Sequence, residues 1–255
     1  MPRYRLLLEY DGRPFCGWQR QDNGPSVQQT LEEAVYRLCG ETVRVQGSGR
    51  TDSGVHALGQ VAHVDLSRPL EPRAVLGALN AHSRPAPVVV LACCQVDETF
   101  HARFSALERS YLYRILNRPV RPTLDEGRVW WHPKPLNAAA MDAAARVLEG
   151  CHDFSSFRAA ECQAESPVKT LSCLRVFRQG DEVIVLARAR SFLHHQVRNM
   201  VGTLALVGQG KWTAADLEAA LQARDRARGG PTAPAQGLYF RSVRYEGEPP
   251  LSDTL

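Results

Sequence analysis

GSGRTDSGVHALGQ, Gly47–Gln60, places four glycines around a single Arg-Thr-Asp. On one side Thr42–Gln46 alternates apolar and polar residues, and on the other Gln60–Leu66 does the same, the period of a half-buried strand. The stretch therefore reads as the connection between two strands. Working outward, Tyr4–Tyr10 is a short apolar run closed by Asp11-Gly12, the form of a strand ending in a turn. A helix is predicted after it: Ser26-Val27-Gln28-Gln29 fits a capping box, Val27, Leu31, Ala34, Val35 and Leu38 recur at helical spacing, and Gly40 supplies the stop. Pro72–Ala81 reads as a second helix and Pro87–Val96 as another strand. The first half is thus β-α-β-loop-β-α-β.

The pattern restarts at Ala106. Ser110–Leu116 is predicted as strand and Asn137–Leu148 as helix, followed by a strand pair, Thr170–Phe177 and Glu182–Arg188, turning at Gln179-Gly180. A helix from about His194 to Val207 carries Val197, Met200, Val201 and Leu204 on one face, with Gly208 and Gly210 ending it. Thr213 caps another helix running to about Arg224, and Leu238–Tyr245 is a last strand. Between these lies RDRARGGPTAPAQG, Arg224–Gly237, the most loop-like segment of the chain. The expectation is an α/β protein of two similar halves, residues 1–105 and 106–255, with a cleft between them.

Composition narrows the class only a little. The chain has 255 residues, 44% apolar and 23% charged, ordinary for a globular protein. All but three of its 31 basic residues are arginine, a side chain whose planar fork grips phosphate and stacks on bases. A GC-rich coding sequence produces the same ratio, and a net charge of +4 does not prove nucleic-acid binding. Seven cysteines without CxxC spacing read as reduced core thiols of a cytoplasmic protein. No stretch approaches a membrane span, and the N-terminus lacks a signal-peptide run.

Asp52 is the residue around which chemistry is sought. The loop is not GxGxxG and no GK[ST] follows, so phosphate-cradling readings are disfavoured. A metal site of Asp52, His56 and His63 is weakly supported, since the histidines are seven residues apart on loop and strand. Two readings stay open: an Asx-turn aspartate satisfying backbone donors, or a carboxylate presented to a ligand that glycines allow to approach closely. Further on, Arg103, Arg109, Arg114, Arg118, Arg121 and Arg128 interleave with Tyr111 and Tyr113. That run suits a base-stacking, phosphate-gripping surface or an ordinary half-buried strand equally well. In FLHHQVRNM, Phe192–Met200, the paired histidines read as cap chemistry. Arg198, beside an apolar stripe, is expected to have a buried carboxylate partner.

Taken together, GRTDSGVHALGQVAH (Gly49–His63), FHARFSA (Phe100–Ala106) with RSYLYRI, DFSSFRA (Asp153–Ala159), FLHHQVRNMVG (Phe192–Gly202) and QGLYF (Gln236–Phe240) resemble the tRNA pseudouridine synthase A family. EYDGRPFCGWQRQ and SVQQTLEEA near the start match as well, so the blocks run in family order across nearly the whole chain. The resemblance implies two ferredoxin-like halves with sheets joined around a central basic active-site cleft. It implies conversion of uridine to pseudouridine at tRNA positions 38, 39 and 40 in the anticodon stem-loop, without cofactor or metal, by a homodimer. By matched position Asp52 is the essential aspartate, Tyr111 the aromatic residue stacking on the target base and Arg198 the basic partner. Arg50 would help hold the flipped nucleotide and Leu238 would line the pocket. Ser53 departs from the alanine often found there, a change between two small residues. A non-catalytic RNA binder on the same fold would not need Asp52, and a synthase for another RNA would not need the blocks outside the loop.

Overall fold

The computed structural model describes residues 1–251. The chain divides into two compact units, Met1–Leu107 with the segment from Tyr239 onward, and Glu108–Leu238. Both are α/β, as expected from the alternation of strand and helix periods.

The first unit contains β1 (Arg3–Tyr10), α1 (Val27–Cys39), β2 (Gln46–Gly47), β3 (His56–Asp65), α2 (Pro72–His82) and β4 (Val88–Val96). β1 is flanked by β3 and β4, both antiparallel to it, so Leu6 faces Ala62 on one side and Cys93 on the other. Its alternate residues Tyr4, Leu6 and Leu8 are fully buried, as are Val27, Leu31 and Ala34 of α1 and Val75 and Leu79 of α2. Apolar positions three and four apart on the helices and two apart on the strand thus supply the core. Ser26 caps α1 by accepting from the Gln29 amide at 3.2 Å, but Gln29 turns its own side chain to Glu33, so only half of the expected box forms. Gly40 ends the helix at φ 75°.

Thr42–Val45 is not the strand its alternation predicted, and only Gln46–Gly47 pairs with β3. The reason lies in α1. Glu32 accepts from the Val45 amide at 3.2 Å and Gln28 donates to the Val45 carbonyl at 3.0 Å, so helix side chains satisfy the backbone that a ladder would otherwise take up.

The second unit contains β5 (Glu108–Leu116), β6 (Trp130–Trp131), α3 (Ala138–Ala145) running into a 3₁₀ turn at Arg146–Leu148, β7 (Gly150–Asp153), β8 (Val168–Gln179), β9 (Glu182–Ala189), α4 (Gln196–Gly208) and α5 (Ala214–Ala223). Its strands lie in the order β5-β9-β8-β7, all antiparallel, with β6 added in parallel to β5. The β8–β9 hairpin turns at Gly180, φ 57°, where the sequence placed it. Thr213 and Asp216 form a complete capping box on α5. β10 (Leu238–Arg244) then carries the chain back to the first unit. There it pairs in parallel with β3, Tyr239 opposite His56 and Phe240 opposite Ala57, extending that unit's order to β4-β1-β3-β10. Among the described residues no helix is long and apolar enough to cross a membrane, and none of the seven cysteines is in a disulfide.

Candidate active site

In the first unit the Asp52 loop is fixed from beneath by buried neutral side chains. The Tyr10 and Thr51 hydroxyls share a hydrogen bond of 2.8 Å, and burial pushes the Tyr10 hydroxyl up to about 12 against the opposing bonds from Thr51 and Gln60. Gln60, fully buried on β3, accepts from the Ser48 hydroxyl at 2.5 Å and donates to the Gly49 carbonyl at 2.9 Å. Trp18 donates its backbone N–H to the Thr51 carbonyl at 3.0 Å. A turn closes with the Val55 amide donating to the Asp52 carbonyl at 3.2 Å. The two readings of the sequence thus meet: Asp52 does sit in a turn, but its backbone carbonyl closes it, and the half-buried carboxylate is carried on a loop whose neighbours are locked. Arg50, two residues earlier, is exposed.

The glycines divide by cause. A Cβ on Gly47 would lie 2.5 Å from the Trp18 indole, so that glycine serves packing, whereas Gly54 adopts φ 77° to make the turn. Clearance for a ligand is therefore not what Gly47 supplies.

His56 and His63 are committed to backbone donors. The Nδ1 atom of His56 accepts from Gly12 at 3.1 Å and that of His63 from Ala102 at 3.1 Å, which leaves neither Nδ1 available for a metal shared with Asp52. His56 also stacks on Tyr239 at 4.7 Å and lies 3.3 Å from Asp11. Burial alone would raise the Asp11 carboxyl, but bonds from Arg13 and the nearby His56 bring it down to about 2.

In the second unit Tyr111 sits mid-strand on β5, opposite Ala187 of β9, with its ring edge-on to Phe192 at 5.0 Å. Tyr113, two residues on and fully buried, donates its hydroxyl to the Pro234 carbonyl at 2.7 Å. Arg198 lies in the first turn of α4, half-buried, with Nε donating to the Ala233 carbonyl at 2.8 Å. Leu238 is buried where β10 begins. α4 starts at Gln196 and not at His194, because His195 takes the left-handed conformation, φ 61°. The two histidine rings consequently lie 4.0 Å apart and do not diverge as neighbours on a helix would.

Of the arginine run only Arg109 and Arg114 lie on a strand, β5, and the others lie outside it. Arg109 is buried and donates to the Arg190 carbonyl, Arg114 makes a forked pair with Glu182, and Arg118 and Arg121 face Asp181 and Glu126. For Arg114 and Arg118 the acids are distant in sequence, which no local count could reveal. Arg103, in the first unit, lies over the exposed Phe104 ring at 5.5 Å.

Comparison with known proteins then decides the family. A profile described as tRNA pseudouridine synthase matches residues 7–105 and 144–246. The chain belongs to the tRNA pseudouridine synthase family. A Rhodospirillum rubrum protein named tRNA pseudouridine synthase A is 70% identical over 97% of this chain and 89% of its own length. Proteins of the same name from Rhodospirillum centenum and Paramagnetospirillum magneticum are 63% and 61% identical over 96% of this chain, covering 100% and 96% of their own lengths. The same stretches of sequence hold more than the residues named from them: Tyr10, Ser48 and Gln60 support the Asp52 loop and Phe192 packs edge-on to Tyr111, contacts that the sequence reading did not assign. The available signal was a polar residue, Gln60, where the alternation of one strand segment begins, and a tyrosine closing another.

Proposed function

We propose that this protein isomerises uridine to pseudouridine at positions 38, 39 and 40 of the tRNA anticodon stem-loop. The C1′–N1 bond breaks, the uracil turns, C5 bonds to C1′, and the proton lost from C5 is balanced by one gained at N1. Asp52 is the nucleophile in this reading. Tyr111 stacks on the extruded base and is placed to help remove the C5 proton, while Arg198 supplies a positive charge that favours the ionised carboxylate. A stacked uridine is out of reach, so extrusion, costing a few kcal/mol, is offset by stacking and by Arg50 holding the flipped nucleotide, with Leu238 lining the pocket. The protein works without a cofactor, in the cytoplasm, as a homodimer.

The observation that carries this reading is the setting of Asp52: a half-buried carboxylate on a loop locked by Tyr10, Thr51, Ser48 and Gln60, within the family's most distinctive sequence block. A preorganised carboxylate is what bond-making at a fixed sugar or base carbon requires. Pseudouridine mapping of tRNA from cells with and without the protein tests it. Loss of the modification at positions 38 to 40 is expected; an unchanged map overturns the assignment.

A further inference from the structure

The arginine-rich segment that the sequence left without a role is a strap laid along α4. Arg226 points inward: Nη1 donates to the Gly230 carbonyl at 2.9 Å, and Nη2 reaches Asn199 Oδ1 at 3.2 Å and the Thr232 hydroxyl at 3.1 Å. Thr232 also donates to Asn199 Oδ1 at 2.6 Å, and the Gly230 amide donates to the Thr203 hydroxyl at 3.0 Å. Asn199 is itself fully committed, its Nδ2 donating to the Phe157 carbonyl at 2.8 Å. The seat is so close that a Cβ on Gly202 would overlap the Pro231 carbonyl oxygen. Immediately after these anchors the strap meets Arg198 twice: Ala233 donates its amide to the Arg198 carbonyl at 3.1 Å, and accepts from Arg198 Nε at 2.8 Å. One residue further, Pro234 is pinned by the Tyr113 hydroxyl.

We infer that Tyr113 and Arg226 are positioning residues for Arg198, acting through the strap to hold the Ala233 carbonyl that orients its guanidinium. A guanidinium on a flexible stem loses orientation unless one nitrogen is fixed, and fixing Nε leaves the two terminal nitrogens aimed in one direction. The strap's own anchors lie on both sides of Ala233, so its carbonyl moves only if one of them fails. Burial raises the Tyr113 hydroxyl well above the usual phenol range, with the nearby Arg198 charge opposing, so it remains a donor at every working pH.

The inference rests on the proposed role of Arg198, and the test separates the two. Single-turnover rates at saturating tRNA, tRNA affinities and melting temperatures are measured for Tyr113→Phe, Arg226→Met, Arg226→Lys, Arg198→Met and the doubles of the first two with Arg198→Met. Tyr113→Phe removes one oxygen and keeps the ring, so its fold is retained even where Arg226→Met melts early. Each strap variant is expected to slow the chemical step about tenfold, the effect of a lost oriented hydrogen bond, with tRNA affinity within about twofold. Arg226→Lys should recover part of the rate. In the Arg198→Met background the strap changes should cost less than about twofold, since their target is gone. Full additivity, or a wild-type rate for Tyr113→Phe, overturns the inference. A wild-type rate for Arg198→Met alone overturns the role of Arg198 instead.

Discussion

The Asp52 loop and the strap after α5 are both irregular segments that a composition-based reading turns toward the ligand, one for its glycines and the other for its arginines. In each, the signal residue faces inward. Gly47 makes room for Trp18 and Arg226 knits the strap to Asn199, Gly230 and Thr232. They differ in how they are held. Neutral groups fix the loop: the Tyr10, Thr51 and Ser48 hydroxyls and the Gln60 amide. The strap is fixed by the Arg226 guanidinium together with the Tyr113 and Thr203 hydroxyls. Neutral support behind a carboxylate adds no competing charge to the field that its chemistry depends on, whereas the strap carries a guanidinium and tolerates another near it.

If the loop bears the reacting group and the strap only its counter-charge, the two cargoes should differ in consequence. Asp52→Asn should cut pseudouridine formation by about 1,000-fold or more, the scale of losing a nucleophile, with tRNA binding retained. Near-normal turnover by that variant removes Asp52 from the reaction. Arg198→Met should cost roughly 100-fold in turnover, the scale of one electrostatic donor. Near-wild-type turnover breaks the pairing, and a loss equal to that of Asp52→Asn breaks the distinction between the regions. Tyr10→Phe tests the neutral support: it should lower stability by about 1 kcal/mol in urea unfolding and slow turnover a few-fold, since Thr51 and Gln60 lose the bonds to its hydroxyl. Wild-type turnover with lowered stability would reduce Tyr10 to a core residue.

Periodicity located most helices and strands here because their apolar positions follow single-element rules: Val27, Leu31, Ala34 and Val35 in α1 are buried as spaced. It failed at Thr42–Val45, where Gln28 and Glu32 on α1 reach across to take the backbone bonds, and though it placed Arg114 on a strand it could not foresee the acid partner Glu182 on β9. Both failures come from side chains that act over tertiary distance. The return of β10 to pair with β3 is equally invisible, since nothing in QGLYF encodes its neighbour. Motif blocks picked out Asp52, Tyr111 and Arg198 and also contain Tyr10 and Gln60, but nothing in a block says which of its residues support the others. Ala233 acts through its carbonyl, which every residue has, so no side-chain pattern marks it.

The support of the first unit includes a titratable weak point. His63, buried on β3, holds the FHARFSA segment by accepting the Ala102 amide at Nδ1, a bond that a protonated ring cannot make. Burial, aided by the charges of Arg3 and His101, lowers its pKa from 6.5 to about 4. Between those values the unfolded chain takes up a proton that the folded chain refuses, so this contribution is complete above pH 6.5 and is lost as pH falls toward 4. The strap, held by Arg226 and Tyr113, has no equivalent. Urea unfolding at pH 7 and pH 5 should show a loss on the order of 1 to 2 kcal/mol from this residue. His63→Asn, which keeps an acceptor and cannot titrate, should lose less over the same interval. An equal loss in the two proteins would mean that the acid sensitivity lies elsewhere, and the contrast between a titratable first-unit scaffold and the strap would not hold.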